Sequence, residues 1–370
     1  MCVTSASVND KASEAMIARA KAVAQKADVV VFLGGTDFSK PDDHATGTEG
    51  HDRWKLTLPG NQEEVLQAIY SVNPNVVLVL ETGSSLDITW EKEHIPAILE
   101  AWYGGQAQGQ AICDAVFGDI NPGGKLTSTW YNSIDELPQE SESQLKRKGM
   151  MEYNIDEWGY TYMYYGKGSK NQGKQAAKPM YPFGYGLSYT TFNYGDFSVP
   201  VVFNMNDERE VTLKVTNTGS RLGDEVIQVY AAFPGSTVGR PIKKLVGFQR
   251  VTVPVGETVE VRIPVKHENF SYYDEQTHTF RTESVAELQI ATSSADDDIK
   301  YKQTVSTEAA TVGETYISTH IDEIPAVSGR QLLKTDHIYS VIGAYVGPAS
   351  CYDSLPKGVY VLNGVKYIKK

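Results

Sequence analysis

An α/β layered domain with a largely parallel sheet, followed by a β-sandwich and a small C-terminal β module, is the architecture this sequence predicts. Helical stretches alternate with continuous apolar runs over the first third of the chain, the mark of an α/β layered domain. Short runs of alternating polarity, separated by Gly, Asn and Pro, then take over, as a β-sandwich requires. A length of 370 residues exceeds the roughly 250 at which single cores stop growing, so at least two cores are expected.

In chain order, SEAMIARAKAVAQK is Ala-rich with Ser13 as N-cap, which predicts a helix. ADVVVFLGG, residues 27–35, is a continuous apolar run ending in glycines and predicts a parallel strand buried on both faces. A helix from Asn61 (NQEEVLQAIYSV), strands at VVLVLETG and PAILEAW, and an amphipathic helix at GQAQGQAICDAVFGD repeat the alternation. TSTWY predicts a final strand, closing the α/β domain at residues 1–131. Residues 132–192, with weak periodicity and the Tyr-rich WGYTYMYYGKG, form a connection packed over that domain. The sandwich spans 193–305 through runs such as EVTLKVTNTG, DEVIQVYAAF and ETVEVRIPV, with Gly219 and Gly223 supplying flexibility to the turn between the first two. Residues 306–370 begin as a polar linker and end in a small β module.

Composition removes several function classes. A net charge of -12 works against a nucleic-acid partner, since phosphate binding rests on clustered Lys and Arg. No run reaches the roughly 20 apolar residues of a membrane span, and MCVTSASVNDKASEA lacks the apolar centre of a signal peptide. Cys2, Cys113 and Cys351 are too scattered for a disulfide framework or zinc spacing. The 22 tyrosines suit sugar rings and ordinary packing equally.

Candidate chemistry gathers in the long connection after the first strand, TDFSKPDDHATGTEGHDRWKLTLPG, because α/β folds place functional groups at the carboxyl ends of parallel strands. A charge-rich loop is most often simply solvated. Asp42, Asp43, His44 and His51 could ligate a metal but match no ligand motif, so no metal is expected. Serine hydrolysis lacks a GxSxG elbow: the runs at Gly83 and Phe183 do not match. A carboxylic acid acting on a glycosidic bond needs a mobile Glu or Asp of raised pKa beside a second carboxylate, and Glu49, flanked by Gly47 and Gly50, has that setting. Gly104, Gly105 and Gly109 fit no phosphate-loop spacing and are read as serving tight strand-to-helix packing.

Three blocks, TEGHDRWKLTLPGNQEEVLQAI, ILEAWYGGQAQGQAICDAVFGDINPGGKLTSTWY and MYPFGYGLSYTTF, resemble in content and order the C-terminal half of family 3 β-glycosidases. The sandwich beyond is similar to that family's fibronectin type III-like domain. The resemblance implies a retaining, exo-acting β-xylosidase or β-glucosidase trimming plant-polysaccharide oligosaccharides, in which an N-terminal (β/α)8 barrel gives the Asp nucleophile. It implies Glu49 as acid/base, His51 and Trp54 bordering the sugar, and Asp52 with Arg53 as an ion pair positioning the loop. PFGYGLSYTTF is assigned a structural role between the domains. No cofactor is implied, as this hydrolysis requires none.

Residues 1–27 are far too few for a barrel of about 250 residues, so the chain is expected to be inactive alone and to need that domain as partner. The ending is similar to sorting modules of exported Bacteroidetes proteins, which implies a secreted, periplasmic or cell-surface location. The alternative function is a non-catalytic carbohydrate-binding or scaffold module. Titration with xylose, glucose and their oligomers separates the two, because only a binding module should show clear affinity without a barrel.

Overall fold

In the computed structural model of the chain, the first helix, α1 (Glu14–Ala24), starts where Ser13 caps it: extended backbone at Ser13 lets its side chain accept from the Met16 amide. The residues described are 11–36, 53, 55–137, 159, 161–167, 176–274, 276–312, 337–340, 345–348, 358–362 and 365–369. They fall into two units, Met1–Tyr272 with Thr282–Ala309, and Tyr273–Arg281 with Ala310–Lys370.

The α/β domain continues as β1 (Val30–Gly35), α2 (Gln62–Tyr70), β2 (Val76–Glu81), α3 (Thr89–His94), β3 (Ala97–Glu100) and α4 (Gln108–Phe117). The three strands form one parallel sheet in the order β1-β2-β3. Ala20 and Ala24 of α1, Leu66 and Ile69 of α2, and Val76, Leu78 and Leu80 of β2 share one core. Register places Val30 beside Val76 and Phe32 beside Leu78, so β1 turns these two side chains toward the same core. The short helix α3 has no counterpart in the sequence reading.

Two expectations need correction. The run at 27–35 is not buried on both faces: Val29, Val31 and Leu33 are 56%, 44% and 61% exposed. The reason is position, since β1 is an edge strand among the described residues and only its Val30/Phe32 side meets the core shared with the helices. TSTWY forms no strand either. It makes a single bridge, Trp130 to Tyr181, with Leu126 and Gly184 bonded alongside.

The sandwich pairs a sheet ordered β4-β6-β9 with one ordered β5-β13-β12-β7-β8. These strands are β4 (Phe192–Ser198), β5 (Val202–Phe203), β6 (Glu208–Asn217), β7 (Gly223–Ala232), β8 (Lys243–Val253), β9 (Thr258–Lys266), β12 (Val285–Ala291) and β13 (Ile299–Thr307). Alternate residues meet between the sheets: Val211, Leu213 and Val215 from β6 share a core with Ile227, Val229 and Ala231 from β7. Each of the Val, Leu and Ile side chains among them contributes about 1.5–3 kcal/mol on full burial. The turn between β6 and β7 therefore carries the chain from one sheet to the other. Its glycines are needed for space rather than flexibility: a side chain at Gly219 would strike Thr190, and one at Gly223 would lie 2.5 Å from the Asn121 amide.

The PFGYGLS segment joins the two cores. Gln228 of β7 donates to the Gly184 carbonyl at 3.1 Å, and Lys125, whose amine donates to Gly186, pairs with Glu225 of β7 at 2.9 Å. Arg221 donates to the Gly118 carbonyl at the end of α4.

β10 (Tyr272–Asp274), β11 (Thr279–Arg281) and β14 (Thr311–Val312) form a three-stranded sheet. The C-terminal β module is a separate sheet of four antiparallel strands, β15 (His337–Ser340), β16 (Tyr345–Pro348), β17 (Gly358–Leu362) and β18 (Val365–Lys369), in the order β16-β15-β17-β18.

Candidate functional site

The three parallel strands end side by side, and each exit carries polar groups. β1 leaves at Gly35 and Thr36, β2 at Glu81 to Ser85, and β3 at Glu100 to Tyr103; Gly35 is level with Glu81, and Leu80 with Glu100. The connection from β1 to α2 starts here and returns here.

Its base is closed by Gln62, the first residue of α2. The Gln62 amide donates to the Gly35 carbonyl and accepts from the Gly35 N–H, both at 2.9 Å. Gly35 itself has φ +138°, and any side chain on it would collide with the Glu81 backbone, so only glycine fits this exit. Asn61, just before, does not cap α2 but accepts from the Ala12 N–H at 2.7 Å.

Both stems of the connection are then tied to one turn, Thr82 to Ser85. On the outgoing side, the Thr82 hydroxyl donates to the Ser84 carbonyl at 2.9 Å, Thr36 donates to Thr82 at 3.2 Å, and Thr36 meets the Tyr103 hydroxyl at 2.5 Å. Because Thr36 spends its proton on Thr82, Tyr103 is the donor to Thr36. On the returning side, Arg53 donates to the Ser84 hydroxyl and the Ser85 carbonyl, each at 2.7 Å, and the Asp87 N–H donates to Leu56. The Tyr103 ring lies against Gly83, where a Cβ would come within 2.8 Å of it.

Beneath this layer sits Glu100. One carboxyl oxygen accepts from the Trp102 N–H at 2.9 Å, and the other is buried without a hydrogen-bond partner. Burial pushes the Glu100 carboxyl up to about 8, while the Trp102 and Thr82 amides act the other way. Trp102 has φ +54°, a conformation that costs a bulky side chain about 1–3 kcal/mol and is held by that contact. Glu91 on α3 is a second such group. Both its oxygens are buried without partners, and burial, with smaller contributions from Glu63 and Asp87, raises it to about 7.

Of the residues singled out from sequence, Arg53 is described, and it donates to the Ser84 hydroxyl and the Ser85 carbonyl. Glu49, His51, Asp52 and Trp54, and the metal candidates Asp42, Asp43 and His44, lie outside the described residues. Among the described residues no group of His, Cys, Asp and Glu has the makings of a metal site, and no helix is long and apolar enough to cross a membrane. The glycine reading at the start of α4 holds only for Gly104, which a Cβ would press against Gln108; Gly105 and Gly109 have open space. Sequence reasoning missed Thr36, Gln62, Glu100 and Tyr103. The only available signal was their position, each at or beside the end of a predicted element.

Comparison with known proteins agrees with this architecture. Residues 3–189 match the glycosyl hydrolase family 3 C-terminal domain, and residues 225–294 match a fibronectin type III-like domain. A β-xylosidase of Formosa agariphila is 34% identical over 295 residues, 79% of this chain and 37% of its own length. Thermostable β-glucosidase B of Acetivibrio thermocellus is 34% identical over 304 residues, 80% of this chain and 37% of its own. Among solved structures, the β-glucosidase of Kluyveromyces marxianus in complex with glucose superposes with a TM-score of 0.66 at 32% identity, covering 80% of this chain and 34% of that one. The chain thus spans little more than a third of the length of the curated relatives it matches. With half its length matching that domain, the sandwich match following it and the parallel sheet in place, the chain belongs to glycoside hydrolase family 3.

Proposed function

We propose that this chain supplies the acid/base half of a retaining, exo-acting β-glycosidase that removes terminal β-linked xylose or glucose from oligosaccharides. Glu49 is the proton donor to the departing sugar and then the base that activates water, and an Asp from a (β/α)8 barrel outside this chain is the nucleophile. His51 and Trp54 border the sugar, and Asp52 with Arg53 hold the returning stem. The observation that carries the reading is the double clamp on the connection bearing Glu49: Gln62 closes its base, and Thr36 and Arg53 fasten its stems at the carboxyl ends of three parallel strands. A glycine-flanked carboxylate on a firmly rooted connection can move over a short arc and still return to one place. The β-xylosidase and β-glucosidase relatives support the substrate class. The resemblance of the C-terminal ending to export modules supports a secreted location.

The test joins this chain to the barrel of the Formosa agariphila relative and assays nitrophenyl β-xyloside and β-glucoside. Glu49→Gln should lower kcat by about 10²–10⁴-fold, the usual share of general acid/base catalysis. The loss should shrink for a dinitrophenyl aglycone, whose departure needs no proton. An equal loss for both leaving groups would remove Glu49 from the acid role. Hydrolysis by the 370-residue chain alone, abolished by Glu49→Gln, would show that the nucleophile lies within it.

A further inference from the structure

Glu100 is used by nothing so far described. It is a half-buried residue at the exit of β3, one carboxyl oxygen on the Trp102 N–H and the other buried without a partner. The Trp102 backbone it holds is in the left-handed region, and the next residue, Tyr103, donates to Thr36, the first residue of the connection after β1. The Tyr103 ring in turn needs the bare Gly83 beneath it, so the exits of all three strands interlock through these few groups.

We propose that Glu100 is a positioning residue for the connection that carries Glu49, setting its point of departure through Trp102, Tyr103 and Thr36. The proposal rests on the functional reading above only in naming what the connection carries; the linkage from Glu100 to Thr36 stands by itself. Its physical basis is that an acid held in place by burial is neutral near pH 7, accepts from the Trp102 N–H with the Thr82 amide also facing it, and places no charge among the Trp102, Tyr103 and Thr36 groups. The titratable groups on the adjoining segments are Glu81 at the end of β2 and Tyr103 itself, and no charged group among the described residues contributes to the rise of the Glu100 carboxyl to about 8. Ionisation leaves a charged oxygen buried without a partner, and opening the β3 exit to water relieves it.

The sign follows by linkage. An open state with an ordinary carboxylate value of 4.5 competes with a closed state near 8, so closure is complete below the first value and is lost as pH rises toward the second. The experiment is amide hydrogen exchange on the whole 370-residue chain from pH 5 to 9, corrected for intrinsic rates, with the amides at the centre of β2 as reference for global opening. Peptides spanning 33–36 and 100–104 should lose protection by up to about tenfold per pH unit up to about 8, then level off. Glu100→Gln, which keeps an acceptor but cannot ionise, should make both profiles flat. Tyr103→Phe should leave the profile at 100–104 and remove it at 33–36. A Glu100→Gln profile that follows the wild type would overturn the proposal, as would a response at 100–104 that never reaches 33–36 in the wild type. Glu49→Gln should change none of these profiles, so failure of the acid/base reading and failure of this one are told apart.

Discussion

The two cores of the first unit treat buried charge in opposite ways. In the sandwich, Arg240 is 3% exposed, yet it pairs with Glu283 at 2.6 Å, donates to the Phe270 carbonyl and stacks on Phe233. Lys243 likewise reaches Asp296 and the Ser294 carbonyl, and Glu225 holds Lys125, the Tyr194 hydroxyl and its neighbour's amide. In the α/β domain, Glu91 is 1% exposed with neither oxygen bonded, and Glu100 has one bonded. A buried charge with partners is part of the frame. A buried carboxyl without them stays neutral only while burial holds its pKa up, so the α/β domain is expected to lose stability as pH rises toward 8.

Three measurements would break or sharpen that contrast. The largest effect is expected from Glu283→Ala, which strands the Arg240 guanidinium inside the sandwich. Removing one partner of a buried pair costs about 3–5 kcal/mol, here toward the lower figure because Phe270 and the aromatic ring remain. Urea unfolding of the sandwich checks it, and a loss below 1 kcal/mol would mean Arg240 is not held by the pair.

Next comes Glu91→Met, expected to raise stability of the α/β domain at alkaline pH. A carboxyl raised from 4.5 to about 7 contributes stability that is complete below 4.5 and lost as pH rises through 7, to a limit of about 3 kcal/mol. Calorimetry at pH 5 and pH 8.5 should show the wild-type domain weakening and the variant weakening less, with Glu100 supplying what remains. Equal weakening in both would place the pH sensitivity elsewhere.

The smallest effect belongs to the link between the domains. Lys125→Met should cost about 2 kcal/mol, since Glu225 keeps Tyr194 and a backbone amide, and adding Glu225→Leu should recover most of it, as replacing a whole buried pair by apolar groups commonly does. Denaturation of the two variants checks this, and a double variant worse than the single one would show that the charge on Glu225 is needed for more than Lys125.

The alternation of helices and apolar runs and the later strand pattern carried the fold class, because burial on one stripe or one face leaves a period in the chain. The same patterns misjudged β1, since an apolar run reads alike whether a strand is central or at an edge. TSTWY failed as a strand for a related reason: Trp130 and Tyr181 pair across a long separation, which no local window contains. At the site, Arg53 was singled out through the family resemblance, whereas Gln62 and Tyr103 look like an ordinary helix start and an ordinary aromatic.

By itself, then, the sequence determined the order of two cores and a terminal β module, the family, and the candidacy of Glu49, since periodicity and family motifs are local in the chain. Only the tertiary structure decided that the connection after β1 is fastened at both stems to the turn at Thr82–Ser85 and that Glu100 lies beside it with one carboxyl oxygen unpaired. Those contacts join residues up to 67 apart in sequence, as Thr36 and Tyr103 are. Burial and hydrogen-bond satisfaction are properties of neighbours in space, so they exist only once the three strand ends have been brought together.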